Sequence, residues 1–217
     1  MNKTLLKTLL GCFVLMGAAS LSLAAEIEKT TVVTTTTTQV AQPPMTEEQK
    51  AMQGRMQEYM TVNEHHDFLK SLAGSWKTKC TFWMDPKGAP MESDGTSEAR
   101  MIMDGHFLEQ SFVGTAMGKP FEGRGIYGYD NMRKEYTGIW FDNMATGIMA
   151  SAGQYDPKAK VMAEEGSMSC PITNETHRSY RTVTTIIDAD HYTYETFMKD
   201  SDGKEFRSML LTYTRAS

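Results

Sequence analysis

Short segments of alternating polar and apolar side chains follow one another from Ser75 to the end of this chain, and no helical period interrupts them. Clusters of Asp, Gly, Pro and Lys separate the segments, as at residues 85–90 and 200–204. This pattern predicts about ten short strands joined by tight turns, and the lack of crossover helices excludes a parallel α/β sheet. Hairpins in series close most simply into a barrel, which leaves no unpaired sheet edge. We therefore predict an all-β protein, an up-and-down antiparallel β-barrel with one or two short N-terminal helices.

The start of the chain has the features of a secretory signal peptide. Lys3 and Lys7 precede an apolar run, and the small residues Ala24 and Ala25 follow it. The run is too short and too rich in Ala, Gly and Ser for a membrane span, so we expect no transmembrane segment after signal removal. The sequence ending at Cys12 resembles a lipoprotein acylation box, but most of the apolar run comes after it. We expect an exported protein, periplasmic or extracellular, with a lipid-anchored form as the less favoured alternative.

The rest of the chain divides by composition into three parts. A threonine-rich, low-complexity segment at residues 26–45 predicts a disordered linker, because it has no periodic apolar pattern to bury. Residues 46–62 predict an N-terminal helix, and residues 63–217 the barrel domain. The signal peptide is assigned to residues 1–25.

The N-terminal helix has a clear start signal. Thr46 and Gln49 are spaced as a capping box, in which each side chain bonds the backbone of the other residue. Met52, Met56 and Met60 lie four residues apart and therefore share one face of the helix. We expect this face to pack on the domain, since methionine fills irregular apolar surfaces well. The alternative is a soft-metal site, because thioethers suit Cu(I).

A second short helix is predicted between Asn63, as its cap, and Gly74, as a left-handed stop. His65 and His66 are adjacent, so on a helix they point in different directions and cannot easily chelate one metal ion. We expect His65 to be the structural member of the pair, packing under the floor of the barrel.

The sequence Gly74-Ser75-Trp76, which leads from this helix into the first strand, resembles the opening of the calycin group of lipocalin-like barrels. In those barrels the tryptophan seals the closed end, and an arginine from the last strand lies across its ring. The resemblance implies these two roles for Trp76 and Arg215. Closure would bring the last strand beside the first, and an arginine over an indole face is favourable in itself. Gly74, Trp76 and Arg215 are thus the predicted closure residues.

Longer segments of the sequence resemble one particular family of such barrels. "EHHDFLKSLAGSW", the stretch from "MDGHFLEQ" to "NMATG" and the closing "YTR" are similar in order and spacing to the bacterial family catalogued as domain of unknown function 1579. The similarity spans residues 63–216. It implies a calycin-type barrel, and it implies no established activity, substrate or catalytic residue.

Five glycines lie in or beside predicted strands within residues 118–138. Either they let the barrel bend sharply beneath aromatic side chains that fill the space, or they leave open a lumen lined by those aromatic side chains. We expect any ligand to enter at the end opposite the helix at residues 63–74. The candidate ligand-binding residues are Tyr127, Tyr129, Tyr136, Trp140, Arg124 and Asp142.

The strand at residues 136–142 has two mixed faces. Tyr136, Trp140 and Asp142 share one face, and Ile139 and Phe141 share the other. The sequence does not decide which face lines the interior.

Several classes of function are excluded or left without support. The net charge of −5, with no cluster of Lys and Arg, argues against nucleic-acid binding. No nucleophile motif is present, and the sequence assigns no catalytic residue, no metal site and no cofactor. We expect a barrel that binds a small apolar or amphipathic ligand. The alternatives are a periplasmic metal- or haem-handling protein, or a lumen-based enzyme that would use Glu109, Arg124, Asp142 and Glu195.

Two cysteines, Cys80 and Cys170, remain after signal removal. In an oxidising compartment they could form a disulfide, and otherwise they are two separately buried thiols. The sequence leaves this choice open, and the oligomeric state as well.

Overall fold

The computed structural model describes residues 44–217, in which two helices precede ten strands. The predicted signal peptide and all but the last two residues of the predicted linker lie outside the described residues. The helices are α1 (Glu47–Met60) and α2 (His65–Ser71). The strands are β1 (Gly74–Phe82), β2 (Met91–Ile102), β3 (Phe107–Ala116), β4 (Lys119–Asp130), β5 (Glu135–Asp142), β6 (Met149–Asp156), β7 (Val161–Cys170), β8 (Glu175–Ile186), β9 (His191–Lys199) and β10 (Glu205–Arg215).

The strands form one closed antiparallel barrel in which each strand pairs with its neighbours in the chain. The barrel closes where β1 pairs with β10, in a register that sets Trp76 opposite Arg215 and Phe82 opposite Met209. The predicted up-and-down barrel is confirmed. Because the sheet closes on itself, none of its ten strands is an edge strand.

Helix α2 covers one end of the barrel, which we call the capped end. Phe68 and Leu69 of this helix are buried in one apolar cluster with residues of β2, β3, β5 and β7, namely Ala99, Leu108, Tyr136 and Met162. The Phe68 ring stacks on Tyr155 at 4.2 Å and meets Tyr136 edge-on at 5.4 Å between centroids. The hydrophobic face of a seven-residue helix therefore completes the core at this end.

The predicted contact between Trp76 and Arg215 is confirmed. Trp76 is 2% exposed, its Nε1 donates to the carbonyl of Leu72 at 2.9 Å, and the Arg215 guanidinium lies 4.1 Å from its ring centroid. The same guanidinium donates to the carbonyls of Ala73 and Ala189. One arginine thus joins β10, the end of α2 and the turn before β9.

Gly74 is required for a reason that differs from the predicted one. The C-cap residue of α2 is Leu72, which has a right-handed conformation, and Gly74 is the first residue of β1. Its φ of +130° disfavours a side chain, and a Cβ there would overlap the Arg215 guanidinium. Gly74 therefore makes room for Arg215 over Trp76.

The capping box of α1 is confirmed: the backbone N–H of Gln49 donates to Thr46 Oγ1 at 3.2 Å, and that of Thr46 donates to Gln49 Oε1 at 2.8 Å. The expectation that its methionine face packs on the domain was wrong. Met52, Met56 and Met60 are exposed, and α1 has no buried residue.

The physical reason is where α1 is attached. Hydrogen bonds hold its C-terminal end to the barrel: Asn131 Nδ2 lies 2.9 Å from the Glu58 carbonyl and 2.8 Å from that of Thr61. His106 Nε2 lies 2.9 Å from the carbonyl of Met60. The attachment fixes the end of the helix and leaves its sides in solvent.

The expected roles of the paired histidines are reversed. His66 is the buried member, and burial is the main cause that lowers its pKa. His65 is exposed and stacks on Tyr129 at 4.1 Å. The cap position of α2 is Glu64, and Asn63 instead accepts a hydrogen bond from the backbone of His65.

Cys80, on β1, and Cys170, at the end of β7, are free thiols in the structure. The question that the sequence left open is therefore answered in favour of two separate cysteines.

Replacing Trp76 by Ala should lower the free energy of unfolding by about 3–5 kcal/mol, as for other large buried aromatic residues. Trp83→Ala is the matched control, because an arginine also covers the Trp83 ring (Arg207 at 5.1 Å) although Trp83 is only half-buried. Urea unfolding of both variants measures the difference. Equal losses for the two tryptophans would contradict the closure role of Trp76.

The attachment of α1 should weaken as the pH rises. His106 Nδ1 lies 2.6 Å from the Met103 carbonyl and Nε2 lies 2.9 Å from that of Met60, so both nitrogens must carry protons. The hydrogen bond to the Met60 carbonyl contributes most to raising the pKa of His106, followed by that to the Met103 carbonyl and by the charge of Asp104. The His66 ring faces His106 at 6.4 Å between centroids, and because its own pKa is lowered it is neutral there.

Because the folded pKa is raised, the contribution of the protonated His106 ring to the attachment is complete below the unfolded value of about 6.5 and is lost as the pH rises through the folded pKa. Amide exchange in the last turn of α1, corrected for intrinsic rates, should therefore accelerate between neutral and alkaline pH. The acceleration should be missing in His106→Gln. A wild-type profile as flat as that of the variant would disprove the role of His106.

Candidate functional site

The interior is lined by one face of each strand, and on β5 the structure decides between the two faces. Tyr136 and Gly138 are buried and Trp140 is half-buried, whereas Ile139 and Phe141 are exposed on the outer surface. The face that carries Tyr136 and Trp140 therefore looks inward.

Aromatic rings occupy the space above the interior glycines. A Cβ on Gly125 or on Gly138 would lie 2.6 Å from atoms of the Tyr127 ring, and one on Gly123 would overlap the ring of Trp140. The glycines thus accommodate these rings on the inner wall of β4 and β5. They do not leave an open lumen.

The six candidate ligand-binding residues are spread along the barrel. Tyr129 and Tyr136 lie at the capped end, where Tyr129 contacts His65 and the Tyr136 hydroxyl donates to the His65 carbonyl. Tyr127 lies deeper, against Gly125 and Gly138 of the wall.

The other three candidates lie elsewhere. Trp140 and Asp142 are at the end of β5 away from α2, where the Trp140 Nε1 donates to Asp142 Oδ2 at 3.0 Å. Arg124 lies outside, in a surface depression that it shares with Arg100 and Glu109. The six residues therefore form no single site, and only Tyr127 and Tyr136 line the cavity described next.

A cavity of about 50 Å³ lies in the capped half of the barrel, beneath α2. Aromatic and aliphatic side chains form most of its wall, and a few polar groups are set among them. It is lined by Phe68, Leu69, Leu72, Ala99, Leu108, Gln110, Tyr127, Tyr136, Thr137, Met162, Glu164, Thr184, Tyr192, Tyr194 and Tyr213.

Glu164 on β7 is the one carboxyl group among these lining residues, and its side chain is buried, with 6% of the residue exposed. Burial raises the pKa of Glu164, and two hydrogen bonds act in the opposite direction. Ser151 donates to Oε1 at 3.0 Å and Thr182 to Oε2 at 3.3 Å. Both donors are neutral, so neither balances the charge of the ionised carboxylate.

Tyrosines surround this carboxyl group. Burial raises the pKa of Tyr127 and Tyr194, and the nearby charge of Glu164 raises both further. Tyr192 and Tyr213 stack at 4.1 Å, and burial raises their pKa as well. The four phenols therefore remain protonated at physiological pH, and they supply neutral rings and hydroxyl groups to the cavity.

The titratable groups that the sequence suggested for a lumen-based enzyme do not gather inside. Glu109 pairs with Arg100 at 2.7 Å, and Glu195 pairs with Arg207 at 2.8 Å, both on the outer surface. The carboxyl group that lines the cavity is that of Glu164, which sequence reasoning missed. Its signal was the pair Glu164-Glu165 within a strand, because alternation turns one of two adjacent residues inward.

Within residues 44–217, no group of three or more His, Cys, Asp and Glu side chains is arranged to hold a metal ion. Among the helices that the structure describes, none has the length and apolar character to cross a membrane.

These features define a calycin-like protein: a closed ten-strand up-and-down barrel with a helix at one end and a tryptophan–arginine pair at the closure. The chain belongs to the family described as protein of unknown function DUF1579, whose model matches residues 61–215. No curated protein matches the sequence.

Among solved structures, the chain resembles Rv2717c from M. tuberculosis at 17% identity, with a TM-score of 0.53, covering 72% of this chain and all of that one. At this identity the likeness shows a shared fold. A de novo designed fluorescence-activating β-barrel matches at 17% identity with a TM-score of 0.39, covering 69% of this chain and 98% of the designed one.

The fit of Tyr127 over its glycines should make Gly138→Ala destabilising. The added Cβ would meet the Tyr127 ring, and overpacking of this kind costs about 1–3 kcal/mol. Gly147→Ala is the control, because a Cβ there meets nothing within 4 Å. Thermal unfolding should separate the two variants. Equal stabilities would show that the ring moves aside without cost.

Proposed function

We propose that this protein binds a small amphipathic molecule inside its barrel, in the cavity that contains Glu164. The observation that carries the proposal is a buried carboxyl group facing a cavity whose wall is mostly aromatic and aliphatic. Burying an ionisable group without an ionic partner is costly, so such a group in a cavity indicates recognition of a ligand.

The size of the cavity limits the ligand. A cavity of 150 Å³ accommodates benzene, whereas the cavity here measures about 50 Å³. Without movement of the wall, it accepts a molecule, or the end of one, with only a few non-hydrogen atoms. The few polar groups in a mainly apolar wall favour an amphipathic ligand over a purely apolar one.

We also propose that the protein acts after export, in the periplasm or outside the cell. This rests on the sequence of residues 1–25, with its charged start, apolar run and small residues. N-terminal sequencing of protein expressed from the full-length gene would show cleavage after Ala24 or Ala25. An intact start at Met1 would contradict the proposal.

Native mass spectrometry of gently purified protein provides the test of binding. The wild type should carry a small adduct that is released on denaturation. Ala99→Leu should abolish the adduct, because Ala99 lines the cavity and a larger side chain would fill it. Ala163→Leu is the control on the outer face of β7 and should keep the adduct. Adducts that are equally frequent in both variants would place binding outside the cavity.

A further inference from the structure

The cavity contains a negative group and no positive one. None of the residues that line it is Lys, Arg or His. The Arg215 guanidinium lies at the capped end, where Trp76 and the carboxylate of Asp190, 3.2 Å away, already engage it. Buried charges in proteins are as a rule paired, and Glu164 has no cationic partner within the described structure. We infer that the partner is the ligand, and that the ligand is a small organic cation, a protonated amine or methylated ammonium.

This inference deepens the proposed function and rests on it. Glu164 has acceptor capacity to spare: an ionised carboxylate offers about four lone-pair positions, and the hydrogen bonds from Ser151 and Thr182 use two of them. The remaining positions can accept N–H groups of an ammonium ion. Hydrogen bonds of this charge-assisted kind are the strong ones.

The rest of the wall suits the same class of ligand. Tyr127, Tyr192, Tyr194 and Tyr213 line the cavity, and the negative face of an aromatic ring attracts cations, most strongly away from water. The aliphatic side chains of Leu108 and Met162 would contact the alkyl part. An anionic ligand would instead meet the Glu164 carboxylate with no compensating positive group.

The titration of Glu164 predicts how the affinity for the ligand changes with pH. Burial raises the pKa of its carboxyl group, so protonation begins at a higher pH than for an exposed glutamate. A cation needs the ionised form. Affinity should therefore be full above the pKa and fall as the pH is lowered through it, whereas a neutral ligand should show no such fall.

Ethylammonium and ethanol form a matched pair of probes, because they have the same number of non-hydrogen atoms and differ in charge. Protein labelled with ¹³C at the methionine methyl groups supplies a reporter inside the cavity, Met162 (4% exposed), and one outside, Met103 (70% exposed). Ionic strength is held constant with NaCl. Ethylammonium should shift the Met162 signal saturably and leave Met103 unchanged. Ethanol should bind at least about tenfold more weakly, the difference expected for a charged hydrogen bond.

Glu164→Gln keeps the shape of the side chain and removes its charge, and Glu165→Gln is the control on the outer face. Ethylammonium affinity should fall to that of ethanol in Glu164→Gln and remain at the wild-type value in Glu165→Gln. Should Glu164→Gln fail to fold, the pH dependence of the wild type tests the same point, because ethylammonium affinity should fall at low pH as the Glu164 carboxylate is protonated.

The outcomes separate the two proposals. Ethanol binding as tight as that of ethylammonium, or tighter, would overturn the cationic ligand and leave binding in the cavity standing. If no probe moves Met162 and no adduct appears in native mass spectrometry, both proposals fall.

Discussion

The pairing of β1 with β10 is the constraint on which the rest of the molecule depends. It turns a row of hairpins into a closed sheet, and Arg215 over Trp76 secures it at the capped end. The same arginine donates a hydrogen bond to the carbonyl of Ala73, so the residue that secures the closed sheet also holds the end of α2 in place. The cavity beneath α2 exists because that helix is held there.

The interior of the barrel is in one part a packed core and in another part a cavity with polar groups. Most of it is packed as a core, with Tyr127 and Trp140 lying over glycines of the wall. Near α2 the packing gives way to a cavity with a carboxyl group, phenols and an amide from Gln110. The packed core is enough to make a barrel stable. The cavity with its polar groups is therefore the part that a function would explain.

The sequence predicted the barrel and its closure because both depend on local patterns: alternation, turn residues and a glycine before a tryptophan. It could not predict the site, because period-two alternation separates two faces without naming the inner one. On β7 one face carries Met162 and Glu164, and the other carries Ala163 and Glu165. Both mix apolar and acidic residues, so only tertiary structure distinguishes them. The exposure of α1 was missed for a similar reason, since its methionine face resembles a packing surface.

Tyr127 has a further consequence for how such a barrel can diversify. Its ring covers Gly125 and Gly138 and also forms part of the cavity wall. The strands beneath it pair through backbone groups alone, so their register does not depend on the ring. Shortening this one side chain would thus enlarge the volume available to a guest and leave the pairing of the strands intact. Descendants of this fold could exchange one ligand for another by substitutions at a single position, with the architecture preserved.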